Sequence, residues 1–296
     1  MADASRRRSE NTAGTFYVDG TCIDCDTCRW MAPEVYTRVG SQSAVTAQPA
    51  DEAGTQRAFQ ALLACPTGSI GTEGKPAVPV LLKDVLRTFP IPVTETVSHN
   101  GFHHESSFGA TTYFIRRPEG NVLVDSPRFA GPLVKELEAQ GGVATLFLTH
   151  KDDVGDHEKF HAHFGCERIL HEADATGELR GMERLLEGDE PVQLADDLLV
   201  IPVPGHTRGS CCLLYTGEAS PILFSGDHVA WSGSLEQVYA FRQACWYDWD
   251  VQIGAMERLL THDFEWILPG HGRRCHFDVD AMRSEMERCV TWMRNA

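Results

Sequence analysis

Pro204-Gly205-His206-Thr207-Arg208-Gly209-Ser210 lies between the apolar runs 198–203 and 211–215 and sets one histidine in a glycine-flanked turn. Similar stretches stand on both sides of it: Leu148-Thr149-His150, Phe224-Ser225-Gly226-Asp227-His228 and Leu268-Pro269-Gly270-His271-Gly272. Each polar residue follows a run short and apolar enough for a buried strand. Side chains at strand ends converge above a sheet edge, and glycine lets the backbone turn tightly there. Neutral imidazole and carboxylate are donors that zinc and iron accept. A lone buried histidine is ordinarily a hydrogen-bonded core residue. Four such loops in one chain point instead to a metal centre.

Around these loops the pattern alternates. Strands are expected at 110–116 and 121–125, joined by Pro118-Glu119-Gly120, then a helix at 131–140 and a strand at 143–149. A helix starting near Gly155 and a strand at 168–171 follow, then strands near 198–203, 211–216 and 221–225. A helix at 248–261, a strand at 265–268 and a helix at 278–293 close the chain. Such alternation describes sheets covered by helices.

In this order the loops resemble the metallo-β-lactamase superfamily over about residues 95–272. The resemblance implies an α/β fold, the αββα sandwich, with metal at the sheet edges. It makes Asp125 the structural aspartate, His206 the third-motif ligand, Asp227 the bridging carboxylate and His271 the last ligand. The second motif departs from His-x-His-x-Asp-His: the chain reads His150-Lys151-Asp152-Asp153-Val154-Gly155-Asp156-His157. Aligned on His150 the motif puts Asp152 at the second histidine, and aligned on Asp156-His157 it puts Asp152 and Val154 at the histidine places. A two-residue expansion would make His150, Asp152, Asp156 and His157 all contributors, with Asp156 the catalytic carboxylate. One imidazole has then become a carboxylate, which moves the preference toward harder metals; one or two zinc or iron ions are expected.

Near the front stands Cys22-Ile23-Asp24-Cys25-Asp26-Thr27-Cys28, and Cys65-Pro66 follows a helical stretch at 51–64. Thiolates at this spacing let a loop wrap one face of an iron–sulfur cubane. Structural zinc and plain buried cysteines are the alternatives, although zinc sites usually come as separated pairs. The segment resembles bacterial-type ferredoxins over about residues 14–72. Ala32-Pro33 replaces the Cys-Pro of the two-cluster form, and Thr55, Ala58 and Ala61 stand where second-cluster cysteines belong. The resemblance therefore implies a single [4Fe-4S] cluster on Cys22, Cys25, Cys28 and Cys65, in a small α+β ferredoxin-like domain. Electron transfer is the natural role, and a purely structural cluster is the alternative.

The length of 296 residues suits two domains, placed at 12–75 and 76–296 across the Gly- and Pro-rich stretch 71–80. A net charge of −16 argues against nucleic acid and anionic membranes as partners. No apolar stretch follows Arg6-Arg7-Arg8, so no membrane span is expected, and the polar start 1–13 reads as disordered. The six remaining cysteines are expected to be reduced packing residues in a cytoplasmic protein. His103-His104 reads as a surface loop, and Cys245-Trp246-Tyr247-Asp248-Trp249 as core or interface. Arg273 and Arg274 are candidates to meet an anionic substrate.

Three functions fit. The first is a hydrolase of thioester- or ester-like small molecules, the superfamily's commonest chemistry. The second is an oxidoreductase whose mono- or di-iron site draws electrons from the cluster, with a redox partner protein. The third is a binding or sensor module that has lost catalysis.

Overall fold

The computed structural model describes residues 2–296. It divides into two compact units, one taking the chain up to Phe114 together with Pro127–Gly142, the other Ile115–Ser126 together with Val143–Ala296.

The first unit opens with the segment expected to be disordered, and here the structure differs. Arg8 Nη1 and Nη2 donate to the carbonyls of Ser43 and Val39 at 2.6 and 3.0 Å, and the Arg8 amide donates to Val18 O at 3.1 Å. Charge-assisted bonds to main-chain carbonyls fasten a tail that has no apolar anchor. The elements then run β1 (Phe16–Val18), α1 (Thr27–Met31), β2 (Tyr36–Val39), β3 (Gln42–Val45), α2 (Glu52–Ala64) and β4 (Ile70–Thr72). β1 pairs antiparallel with β4, and β2 with β3. Asp51 caps α2 by accepting from the Gly54 amide at 2.7 Å. One face of α2 is buried through Ala58, Phe59 and Ala61, with Phe59 set edge-on against Phe16 at 4.9 Å. That packing returns Cys65, one residue past α2, to the loop between β1 and α1. Residues 73–80 carry no regular structure. α3 (Leu82–Leu86), β5 (Ile91–Pro92), β6 (Val97–His99) and α4 (Gly131–Ala139) complete the unit, and the chain leaves it within β7 (Tyr113–Ile115).

The second unit holds two sheets. β8 (Val122–Val124), β9 (Thr145–Phe147), β10 (Glu167–His171) and β11 (Arg184–Leu186) form a parallel ladder, with α5 (His157–Phe164) in the connection from β9 to β10. The other sheet uses β12 (Val192–Ala195), β13 (Leu198–Pro202), β14 (Cys211–Tyr215), β15 (Ile222–Gly226), a hairpin β16 (Ala230–Ser232) and β17 (Gln237–Tyr239) beside it, α6 (Trp249–Leu259), β18 (Trp266–Pro269), β19 (Cys275–His276) and α7 (Val279–Asn295). Its strand order is β12-β13-β14-β15-β18-β19, antiparallel except for β15 beside β18. β14 and β15 are buried at every position, as strands covered on both faces must be. Met256 and Leu259 of α6 and Met282, Met286 and Met293 of α7 pack with Leu223 and Ile267 of the sheet. All ten cysteines are free, and among the described residues no helix is long and apolar enough to cross a membrane.

Candidate metal centres

In the second unit the four loops meet. One donor atom each from His150, His206 and Asp227 lies within 4.8 Å of the others, and so do donors from Asp153, Asp227 and His271. Asp227 belongs to both trios. His150 follows β9, and its Nδ1 sits 3.0 Å from Thr149 Oγ1. That hydroxyl donates to both oxygens of Asp125 at 3.0 Å, so it accepts the proton of His150 Nδ1. The tautomer is thereby fixed, and His150 Nε2 offers a lone pair toward Asp153 and Asp227, both 3.9 Å away. His206 Nε2 stands 3.7 Å from Asp152 and from Asp227. His271 Nδ1 donates to Asp227 at 2.8 Å.

The electrostatics fit a cation. His150 Nε2, His206 Nε2 and Asp153 Oδ2 are buried without a hydrogen-bond partner. Burial, then the charges of Asp227, Asp125 and Asp152, push the Asp153 carboxyl well above its ordinary range. Burial likewise carries Asp125 up to about 7 and His150 down to about 4. Burial works the same way on Asp227, but His271, His150 and His206 outweigh it and hold that carboxyl low. Carboxylates crowded at this density are ordinarily kept charged by metal. A Cβ on Gly270 would come 2.8 Å from Asp153 Oδ2 and 2.9 Å from Asp227 Oδ1, so only glycine allows the two carboxylates to approach here.

Two expected contributors are not brought in. Asp156 pairs with Lys159 at 2.7 Å, and the His157 ring Nδ1 is 3.2 Å from an Arg168 guanidinium nitrogen. Neither belongs to a donor trio among the described residues; Asp152 belongs to none either, but its carboxylate lies 3.7 Å from His206 Nε2. The chain reaches the site earlier than the two-residue expansion assumes, because Ser126 N donates to Asp153 O at 3.3 Å and turns Asp153 inward, 1% exposed.

In the first unit Cys22, Cys25, Cys28 and Cys65 line one cavity with Thr27, Ser43 and Thr67. Thr27 Oγ1 lies 3.4 Å from Cys25 Sγ and Ser43 Oγ lies 3.3 Å from Cys28 Sγ. Burial pushes the Cys25 thiol up to about 11 and Cys28 higher still, so thiolates there need a cation to form. Four convergent sulfurs with hydroxyls beside them fit an iron–sulfur cluster.

Residues 18–72 match the family described as the 4Fe-4S single cluster domain of ferredoxin I. They form a small ferredoxin-like domain. Among solved structures the chain is similar to VMB-1 (TM-score 0.51, 13% identity, 69% of this chain and 95% of that one). It is also similar to the B3 metallo-β-lactamase BLEG-1 (TM-score 0.50, 18% identity, 67% of this chain and 99% of that one). The fold is that of a metallo-β-lactamase. In sequence, 118 residues are 37% identical to a hydroxyacylglutathione hydrolase of Fuscovulum blasticum, covering 38% of this chain and 44% of that protein's length.

Within the metallo-β-lactamase fold one buried carboxylate had no sequence motif to announce it. Asp174, fully buried, accepts from Lys151 N, Thr207 Oγ1 and Gly209 N at 3.1, 2.6 and 2.9 Å, clasping the His150 and His206 loops together. Trp246, expected in a core or interface, is instead 66% exposed, because its amide is held by His206 O at 2.8 Å and the ring is left outward beside that imidazole. His103, expected on a surface loop, is fully buried. Arg273 is tied through its backbone to Trp231 at 2.9 and 3.1 Å.

Proposed function

We propose that the chain is a metal-dependent hydrolase of thioester- or ester-like small molecules joined to an iron–sulfur electron-transfer domain, divided near residue 76 (12–75 and 76–296). One observation carries the hydrolytic reading: two donor trios that share Asp227. His150, Asp152, His206 and Asp227 would hold one ion, and Asp153, Asp227 and His271 a second. Ions held there supply Lewis acidity that activates water and polarises a carbonyl. Asp153, buried beside Asp227, would take the proton on the oxygen that the ion does not engage as the water oxygen bonds to the acyl carbon. The bond to sulfur or oxygen then breaks, and the thiol or alcohol leaves with that proton. Asp156, occupied by Lys159, has no part in this scheme. His171, Pro204, Arg208, Tyr247 and Arg258 line a cleft of about 450 Å³. Glu172 and Asp189 stand with Arg208 and Arg258 in its lining, so the cleft is polar and of mixed charge. The similarity to a hydroxyacylglutathione hydrolase supports a thioester.

Cys22, Cys25, Cys28 and Cys65 are proposed to hold one [4Fe-4S] cluster that passes single electrons to or from a redox partner protein. A compartment that keeps all ten cysteines reduced, the cytoplasm, suits it.

A second reading, an oxidoreductase with iron in the lactamase-type centre, is favoured by the donor set itself. Three of the six candidate donors (Asp152, Asp153 and Asp227) are hard carboxylates. Metal analysis of anaerobically purified protein, with a panel of acyl thioesters read by thiol release, separates the two. Zinc with thiol release supports hydrolysis. Iron in the second centre that is reduced through the cluster, without thiol release, defeats it.

A further inference from the structure

Cys25, which lines the cluster pocket, is backed by chain that the ferredoxin-matched segment 18–72 does not supply. It comes from residues 99–109 of the same compact unit. Gly109, at φ +84°, packs so closely that a Cβ there would lie 3.0 Å from Cys25 Cβ, 3.1 Å from Cys25 Sγ and 3.0 Å from Pro66 Cγ. His103 is held behind it. Its amide donates to Ala64 O at 3.3 Å, and its carbonyl accepts from Arg128 Nε at 2.9 Å. Arg128 also donates through Nη2 to Leu63 O at 2.9 Å, pinning the segment to the turn that carries Cys65.

Hydrogen-bond chemistry sets the direction of each link. His103 Nδ1 is 2.7 Å from Gly109 O, and a carbonyl can only accept, so Nδ1 carries the proton. The same Nδ1–H faces Thr27 Oγ1 at 3.1 Å. Thr27 Oγ1 accepts it and turns its own proton away from His103. Two acceptors remain: Gly109 O at 3.5 Å and Cys25 Sγ at 3.4 Å. The carbonyl is already engaged by His103, whereas a cluster thiolate is the more negative acceptor. At the far side His99 Nε2, 2.8 Å from His103 Nε2, completes the line of bonds. Thr27, His99 and His103 are 2%, 1% and 0% exposed, so water does not compete. A parallel arrangement serves Cys28: Arg29 Nη1 donates to Ser43 Oγ at 2.8 Å, which turns the Ser43 proton toward the sulfur.

We propose that His103 is a positioning residue for the cluster, holding the Thr27 hydroxyl against Cys25 and thereby raising the reduction potential. Reduction adds one electron and breaks no bond, so the cluster gains negative charge, and a hydrogen bond to a ligating sulfur favours the reduced form. The metallo-β-lactamase part of the chain then helps to decide how readily the ferredoxin part accepts an electron.

The inference rests on the cluster assignment, and the test keeps the two apart. Full-length protein is purified anaerobically and titrated with dithionite, the reduced cluster being followed by electron paramagnetic resonance. Thr27→Val and His103→Leu are each expected to shift the midpoint to more negative potential, and Thr27→Ser is expected to leave it near wild type. Because His103 acts through Thr27, the double variant is expected to move no further than Thr27→Val alone. Additive shifts, or an unmoved midpoint in His103→Leu with iron and sulfide retained, overturn the proposal. Should His103→Leu not assemble a cluster, His103→Gln, which keeps a donor, replaces it. A Gln variant as negative as Thr27→Val also overturns the proposal. Wild-type protein without iron and sulfide overturns both this inference and the cluster assignment.

Discussion

The cysteine pocket and the imidazole–carboxylate centre are built by opposite means. Three of the four cysteines fall within seven consecutive residues, and their spacing alone brings the sulfurs to one loop. The candidate donors of the other centre follow the ends of β9, β13, β15 and β18 and span residues 150–271. The cysteine loop still needs α2 to return Cys65 and the 99–109 segment to back Cys25. A site gathered from several strand ends depends on clasps such as Asp125–Thr149 and Asp174.

The largest effect expected from this contrast is a loss confined to one site. Cys65→Ser should remove the broad visible absorbance and roughly four irons per chain. Zinc or iron in the second centre should stay, as measured by metal analysis on the same sample. Loss of both metals together would break the distinction between a loop-built and a strand-end-built site.

Next in size is the register of the second centre. Asp153→Asn should lower turnover by about 10²–10⁴-fold through loss of the proton acceptor, and should release one ion. Asp156→Asn should stay within about 3-fold, since Asp156 pairs with Lys159 and belongs to neither donor trio. Thiol release and bound metal measured side by side decide it, and the reverse ranking would restore the expanded register. Gly270→Ala follows. Its Cβ would press on Asp153 and Asp227, and metal affinity should fall about 10–100-fold by competition with a chelator, as for other disturbances of a ligand's surroundings.

The same contrast explains what the sequence disclosed. The cysteine spacing, the strand-then-histidine loops and the alternating pattern carried the fold, because each is local. β9 and β15 end within two residues of the ends of the apolar runs. That Asp153, and not Asp156, lies beside Asp227 and His271 was not legible. It turns on the Ser126–Asp153 backbone bond, a contact between residues 27 positions apart that no local pattern encodes. His103 misled for a related reason: a histidine pair after Gly-Phe has loop composition, and the Thr27 hydroxyl it meets lies far back in the chain. Asp174 sits in no motif at all, and only its three donors reveal it.

The smallest expected effect probes the clasp instead of the ligands. Burial raises Asp125 in the folded chain to about 7, above the ordinary value of 3.8. For metal-free protein the folded state therefore binds this proton more tightly than the unfolded chain does. Its contribution is complete below about pH 4 and is lost as pH rises through about 7. Asp125→Asn keeps an acceptor for the Thr149 amide but cannot lose a proton. In chelated protein, the melting temperature of the variant relative to wild type should thus improve steadily from pH 4 to pH 7. In metal-loaded protein the ion's charge keeps Asp125 ionised, and that slope should flatten. A gap between the two proteins that ignores pH in the chelated state would mean that Asp125 is not the buried, neutralised group its surroundings describe.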